Sequence, residues 1–214
     1  MNDSNFYVLL RLDKTCAYLQ VACHFTQTSM QLNSLINNIF TIDNFWTKQE
    51  CEDFISKSEL MGYEPATIDT EKGQIVVKTV RNNNRVIYKD TILADTIWRQ
   101  LKPFAPTHIG NSKAVGLNEL FRFYKYQVGQ EFKRHRDQSY IRNDVEASFF
   151  TFMIYLNDNY EGGETTFANL TIQPKQGTAL IFFHDLEHEG SSVRQGIKYV
   201  LRTDIMFRLD LENE

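Results

Sequence analysis

The sequence predicts a mainly β fold with flanking helices, a sandwich or jelly roll, and three observations carry that reading. Leu120–Tyr126 and Phe149–Leu156 alternate between two kinds of residue, as strands do because successive side chains point to opposite faces. The 16 Phe and 10 Tyr fall largely in such alternating runs, and aromatic residues favour the pleated surface of a sheet. Gly162-Gly163, and Pro174 with Gly177, punctuate the second half of the chain at intervals short enough for strands. A chain of 214 residues, 42% hydrophobic, is most simply one domain around one core.

Residues 6–25 read as a hairpin about Asp13-Lys14, with turn chemistry that lacks Gly or Asn. Residues 1–36 are accordingly set apart as an N-terminal extension, and 37–214 as the main domain. Thr47 and Glu50 form a capping-box pattern that opens a helix, with Cys51, Phe54, Ile55 and Ser58 on one face and Gly62 placed to end it. Val80–Val86, with its Asn82-Asn83-Asn84 centre, reads as a polar loop carrying Arg81 and Arg85. Asp90 caps a second helix, with Leu93, Ile97 and Leu101 at helical spacing and Pro103 beyond its end.

On Leu120–Tyr126 one face carries Leu120, Arg122, Tyr124 and Tyr126, the other Phe121, Phe123 and Lys125. Arg beside Tyr is unusual for a core. On Phe149–Leu156 the residues Phe150, Phe152, Ile154 and Leu156 make a fully apolar face, expected to form the sheet-to-sheet core. Thr151, Met153 and Tyr155 share the opposite face, suited to a cavity. Thr178–Phe183 is a further strand, and the closing strand Lys198–Phe207 gathers Lys198, Val200, Arg202, Asp204 and Met206 on one side.

A net charge of -4 supplies no basic field for phosphate backbones, so no nucleic-acid partner is expected. Cys16, Cys23 and Cys51 form neither a CxxC pair nor a metal-finger spacing, and their odd number speaks for reduced thiols in a cytoplasm. No targeting signal is read. No apolar run approaches the roughly 20 residues that span a bilayer, so no membrane partner is expected. No oligomeric state is implied.

The chemistry concentrates in Tyr126–Asp137. His135 and Asp137, two apart on an extended segment, point the same way, which supplies two thirds of a 2-His-1-carboxylate triad. A third ligand must come from elsewhere, and the candidate stretch is Phe183–Gly190, where His188 is preferred to His184 because it precedes the last hairpin and lies across from Lys198.

Taken in order, Tyr126-x-x-Gly129-x-x-Phe132-x-x-His135-x-Asp137, Tyr155-Leu156-Asn157, Gly162-Gly163-Glu164-Thr165, Pro174-x-x-Gly177, His188-x-Gly190 and Gly196-x-Lys198 resemble the Fe(II)/2-oxoglutarate-dependent oxygenases, specifically the prolyl 4-hydroxylase-like group. The resemblance covers about Phe40 to Phe207. It implies a double-stranded β-helix, a cupin-like jelly roll with iron at its open end. It implies His135, Asp137 and His188 as catalytic iron ligands and Lys198 as the cation for the distal carboxylate of 2-oxoglutarate. Tyr126, Tyr155 and Thr151 match cosubstrate positions, and Arg202, on the same face as Lys198, is a further candidate for cosubstrate or substrate. The implied reaction uses O2 and 2-oxoglutarate to hydroxylate an unactivated C–H, releasing succinate and CO2, with ascorbate as a possible reductant. The Asp137 carboxylate points to hydroxylation, since halogenating relatives lack it.

Arg81, Arg85, Arg122 and Tyr124 are the candidate substrate residues, guanidinium forks being suited to a carboxylate. A prolyl residue in a peptide and a small amino-acid-like metabolite are both compatible. Two other readings compete. His184-x-x-Glu187-His188 matches a zinc-hydrolase pattern, which needs both histidines on one helical face. A jelly roll that binds without turnover is the second.

Overall fold

The computed structural model describes residues 29–36, 38–71 and 73–210; the expected hairpin at 6–25 lies outside them. Fourteen elements carry the argument below. They are β1 (Gln31–Ile36), β2 (Ile39–Asp43), α1 (Lys48–Met61), β3 (Asn84–Lys89), α2 (Thr91–Leu101), β4 (Ser112–Leu117), β5 (Leu120–Tyr126), β6 (Phe132–His135), β7 (Glu146–Tyr155), β8 (Thr165–Phe167), β9 (Thr171–Ile172), β10 (Ala179–Phe183), β11 (His188–Gly190) and β12 (Lys198–Leu209).

A large antiparallel sheet runs in the order β1-β2-β10-β7-β12-β5-β3, and a smaller one in the order β6-β11-β8-β9. β12 also pairs with β4 at its far end. The two sheets form the jelly roll that the sequence predicts, and both predicted helices pack on the outer face of the large one. Because β1 pairs with β2, the sheet begins before residue 37, where the sequence places the start of the domain. No helix among the described residues is long and apolar enough to cross a membrane.

The helices form for the local reasons read from sequence. In α1 the Thr47 hydroxyl accepts from the Glu50 amide at 3.2 Å, while the Glu50 carboxylate accepts from the Thr47 amide at 2.7 Å. Two otherwise orphaned donors are thereby satisfied. Gly62 follows with φ 79°. In α2 the Asp90 carboxylate accepts from the Leu93 amide at 2.9 Å, and Ala94, Ile97 and Leu101 are buried.

The layers differ from expectation in one respect. Phe150, Phe152, Ile154 and Leu156 pack with Phe45, Cys51, Ile97 and Leu101 in the cluster under the helices, not between the sheets. The space between the sheets is filled by Tyr124, Tyr126, Met153, Tyr155, Phe167, Phe182 and Val200. The physical reason is that helices cover a sheet face completely and want it apolar. The face that looks at the smaller sheet must also hold the polar groups of a cavity. Residues 80–86 also depart from a simple loop: Arg81 makes a β-bridge with Phe132, and β3 starts at Asn84.

Gly177 ties the turn before β10 to the segment before α1. It has φ +78°, and a Cβ there would lie 2.1 Å from the Trp46 carbonyl oxygen, while the Trp46 amide donates to the Gly177 carbonyl at 3.0 Å. Gly177→Ala combines left-handed strain with a backbone clash. A loss on the order of 3 kcal/mol or more is expected, read as a melting temperature lower by about 10 °C. A shift within a degree or two would mean that the turn relaxes freely.

Candidate active site

Register assembles the site. In the smaller sheet β6 and β11 pair antiparallel with His135 opposite His188, and the Asp137 amide just beyond β6 donates to the His184 carbonyl at 3.1 Å. His135, Asp137 and His188 therefore converge, and one ligand atom from each lies within 4.8 Å of the others. His135 Nε2 is 3.6 Å from Asp137 Oδ1, and His188 Nε2 is 3.7 Å from Asp137 Oδ2.

The donor set suits a divalent transition metal. His135 Nδ1 lies 2.7 Å from the Lys133 carbonyl and His188 Nδ1 lies 2.9 Å from the Leu186 carbonyl. Each Nδ1 is thus the protonated nitrogen, and each Nε2 keeps its lone pair for the site. Burial pushes His188 down to about 4 against the opposing pull of Asp137, so its ring is neutral at neutral pH. Burial works against the charged form of Asp137, but Arg202 and the His135 imidazole outweigh it and hold the carboxyl well below its usual range. Two neutral imidazoles and one carboxylate are what such a metal centre requires.

A cavity runs inward from this triad, lined by Tyr124, Tyr126, Thr151, Thr165, Lys198 and Arg202 among others. The pairing of β5 with β12 builds one wall, with Tyr126 opposite Lys198, Tyr124 opposite Val200 and Arg122 opposite Arg202. Lys198 is 2% exposed. Its ammonium donates to the Gly163 carbonyl at 2.6 Å and lies 5.2 and 5.6 Å from the Tyr126 and Tyr155 ring centres. Burial pulls its pKa down to about 7, with Glu164 opposing. A buried ammonium without a close carboxylate is suited to pairing with an anion.

The structure redistributes several expected roles. The Tyr155 hydroxyl is engaged with Thr165 Oγ1 at 2.7 Å, and it is Thr165 that lines the cavity. Thr165 was not singled out from sequence as a site residue, although it closes the Gly162-Gly163-Glu164-Thr165 motif. Thr151 donates to Asp137 Oδ2 at 2.5 Å and accepts from Arg202 at 3.2 Å. Arg202 in turn reaches Asp137 Oδ1 at 3.0 Å and Asp204 at 3.4 Å. Both residues brace the triad carboxylate. Arg122 and Arg202 face each other across the ladder, a like-charge pair that would be unfavourable but for Asp204, 3.4 Å from each.

The triad also opens onto a wider cleft lined by Arg81, Arg85, Arg122, Arg136, Tyr140 and Asp204 among others. All four candidate substrate residues reach it: Arg81, Arg85, Arg122 and Tyr124. Arg85 bonds Thr67, which shares that lining, and Gln74. Burial works to raise the Tyr124 pKa, but Arg81, Arg202 and Arg122 overcome it and bring the phenol down to about 8. His184 lies in a turn, Glu187 is exposed, and His188 begins a strand. The two histidines do not share a helical face, so the zinc-hydrolase pattern has no site here. His184 is buried instead, 3.6 Å from Asp204.

The comparisons with known proteins match this geometry. The family model of the 2OG-Fe(II) oxygenase superfamily matches residues 121–203, the span that holds the whole triad and Lys198. The oxygenase core is similar to prolyl 4-hydroxylase 13 of Arabidopsis thaliana, 27% identical over 173 residues, covering 72% of this chain and 61% of the relative. It is also similar to probable prolyl 4-hydroxylase 8 of the same plant, 29% identical over 134 residues, 60% of this chain and 44% of the relative. The match thus spans less than two thirds of these curated relatives. Among solved structures, the fold is shared with the viral collagen prolyl hydroxylase of Paramecium bursaria Chlorella virus-1, solved as a 2OG complex. The TM-score is 0.57 at 21% identity, covering 79% of this chain and 96% of that one. It is shared also with a Trichoplax adhaerens prolyl hydroxylase in complex with a hypoxia inducible factor oxygen degradation domain peptide fragment. There the TM-score is 0.63 at 18% identity, covering 79% and 83% of the two chains. The double-stranded β-helix expected from sequence is the observed fold.

Proposed function

We propose that this chain is an Fe(II)- and 2-oxoglutarate-dependent dioxygenase that hydroxylates an unactivated C–H of a prolyl residue or a small amino-acid-like substrate, releasing succinate and CO2. The carrying observation is the placement of His135, Asp137 and His188 at the mouth of a cavity whose wall includes the buried Lys198. The metal and O2, when bound, supply the oxidising power.

The residues of the chain bind and orient. His135, Asp137 and His188 would hold the metal and leave coordination positions free for the cosubstrate. Lys198 takes its distal carboxylate, helped by Thr165 and Tyr126. Lys198 and Arg202 are four residues apart on one strand, about 13 Å, and Arg202 is already paired with Asp137 and Asp204. That spacing supports Lys198 as the anchor and Arg202 as the brace of Asp137. Thr151 and Arg202 fix the orientation of Asp137, and Phe132 and Phe182 pack against the rings of His135 and His188. The similarity to prolyl 4-hydroxylases supports a prolyl substrate. Ascorbate as the reductant and a cytoplasmic location belong to the same proposal; Cys51 is a free buried thiol whose pKa burial pushes up to about 12, which makes it inert in either redox setting.

The test is an anaerobic titration of the Fe(II)-loaded protein with 2-oxoglutarate, followed by the visible charge-transfer band of a chelated 2-oxo acid. A band in the wild type that is lost in Asp137→Ala is expected. A wild type that binds Fe(II) and gives no band overturns the proposal.

A further inference from the structure

Arg81 is the cation that the site described so far leaves unused. It is 5% exposed and lines the outer cleft. Its guanidinium carbon sits 4.3 Å from the Tyr124 ring centre and 4.4 Å from that of Phe132, so the group is held between two aromatic faces. Phe132 itself stacks on His135, ring centres 3.5 Å apart. The cation is therefore one aromatic layer from a triad ligand.

Several contacts fix it there. Arg81 Nε donates to Asn83 Oδ1 at 2.7 Å. The loop is docked on the strand before the triad, since Asn82 Oδ1 accepts from the Glu131 amide at 2.7 Å and the Lys133 amide donates to the Val80 carbonyl at 2.9 Å. Arg81 also acts on the Tyr124 and Tyr126 phenols, yet its Nη2 is buried with no hydrogen-bond partner among the described residues. An unmet donor on a buried cation is costly unless something in the working protein meets it.

The surroundings say what that something is. The cleft gathers Arg81, Arg85, Arg122, Arg136 and Arg202 against Asp137 and Asp204, in a chain whose net charge is -4. Both carboxylates are committed, Asp137 to the triad and Arg202, Asp204 to Arg122 and Arg202. Arg136 is paired with Asp185 at 3.4 Å. Arg81 has no carboxylate within ion-pair range among the described residues. The lowered pKa of Tyr124 reports the same positive field.

We infer that the outer cleft is a carboxylate-recognition subsite in which Arg81, with Arg122 and Tyr124 beside it, receives an acidic group carried by the substrate close to the atom that is hydroxylated. This rests on the hydroxylase reading above and adds to it the charge of the substrate. A planar guanidinium clamped between rings offers its N–H edge in a fixed orientation, which suits bidentate carboxylate binding. The carboxylate comes either from an acidic residue flanking a prolyl residue in a peptide or from the α-carboxylate of a free amino acid.

The experiment uses the full chain loaded with Fe(II) and 2-oxoglutarate and two matched probe pairs. One pair is a pool of capped peptides with a fixed proline flanked by Asp or Glu, against the same pool with Asn or Gln. The other is free L-proline against L-prolinamide. Hydroxylation is read by mass and cosubstrate consumption by succinate. In at least one pair the acid is expected to exceed its amide at least tenfold in kcat/KM, mainly through KM, and that pair names the source of the carboxylate. The acid-to-amide ratio is expected to fall towards one in Arg81→Met and to an intermediate value in Arg81→Lys, which keeps the charge but not the fork. A general loss of activity cancels in that ratio, and Arg81→Lys decides if Arg81→Met does not fold. Equal rates for acid and amide in the wild type, a ratio unchanged in the variants, or succinate formed with none of the four probes hydroxylated would each overturn the inference while leaving the oxygenase reading standing. No consumption of 2-oxoglutarate under any condition would bring down both.

Discussion

Lys198→Met is expected to melt at a higher temperature than the wild type in the absence of cosubstrate, and to lose 2-oxoglutarate binding by roughly 100-fold or more. Both effects have one cause. The ammonium is buried, donates to one backbone carbonyl, and has its pKa pulled down to about 7. A lysine whose folded pKa is depressed binds its proton more tightly in the unfolded chain, so it destabilises the fold. That penalty is full below about pH 7 and fades as the pH rises towards the unfolded value near 10.5. Its size at neutral pH is on the order of a few kcal/mol. Methionine fills a similar volume without the charge.

The cosubstrate reverses the balance. Its carboxylate would have no cation in the variant, and leaving a buried charge unpaired costs about 2–5 kcal/mol. The check is a pair of melting curves across pH 6.5 to 9.5, with and without 2-oxoglutarate. The stability advantage of Lys198→Met should shrink as the pH rises, and only the wild type should gain from ligand. If the variant still gains, the anchor is another residue. If it melts lower at pH 7, the contacts of the ammonium outweigh its desolvation.

Arg202→Met should act in the opposite direction on the empty protein. Arg202 lies 3.0 Å from Asp137 and 3.4 Å from Asp204, and both carboxylates are buried. Deleting the shared cation leaves Asp137 with no cation and Asp204 with Arg122 alone in a low-dielectric interior, a change worth about 3–5 kcal/mol. The metal-free variant should melt some 10 °C or more below the wild type. Added metal neutralises Asp137 from the other side. The rise in melting temperature on metal addition should therefore be larger in the variant than in the wild type. Activity should still fall roughly 10- to 100-fold, because Asp137 loses the group that orients it. Arg202→Lys should recover most of the stability and less of the activity. An unaltered metal-free melting temperature would show that Thr151 and the two histidines hold Asp137 unaided.

Much of this was legible in the residues because it is local. The Thr47–Glu50 capping box and the Asp90 cap are decided by neighbours three residues away. The alternation in β5, β7 and β12 sorts their side chains correctly into two faces. The pairing of His135 with His188 follows once the latter is placed before the last hairpin. Which face meets which layer was not legible, because alternation has no sign: it separates Phe150 from Thr151 but does not say which looks at a helix. Arg81 was not legible as a buried residue either. Arg81-Asn82-Asn83-Asn84-Arg85 has the composition of a solvated turn, and its burial comes from rings at Tyr124 and Phe132, over forty residues away. Thr151 was read as a cosubstrate contact from the resemblance, with its strand face in agreement, but the acceptor it finds is Asp137.

The two cavities share Tyr124, Phe132, His135, Asp137 and Arg202 in their linings, so the inner one communicates with the outer one at the triad. That arrangement makes a queue. Entry to Lys198 by this route has to precede the docking of a larger molecule in the outer cleft, and what remains at Lys198 after turnover leaves by it once that molecule has gone. Cosubstrate first and succinate last is the order that this shared passage favours, whatever the substrate proves to be.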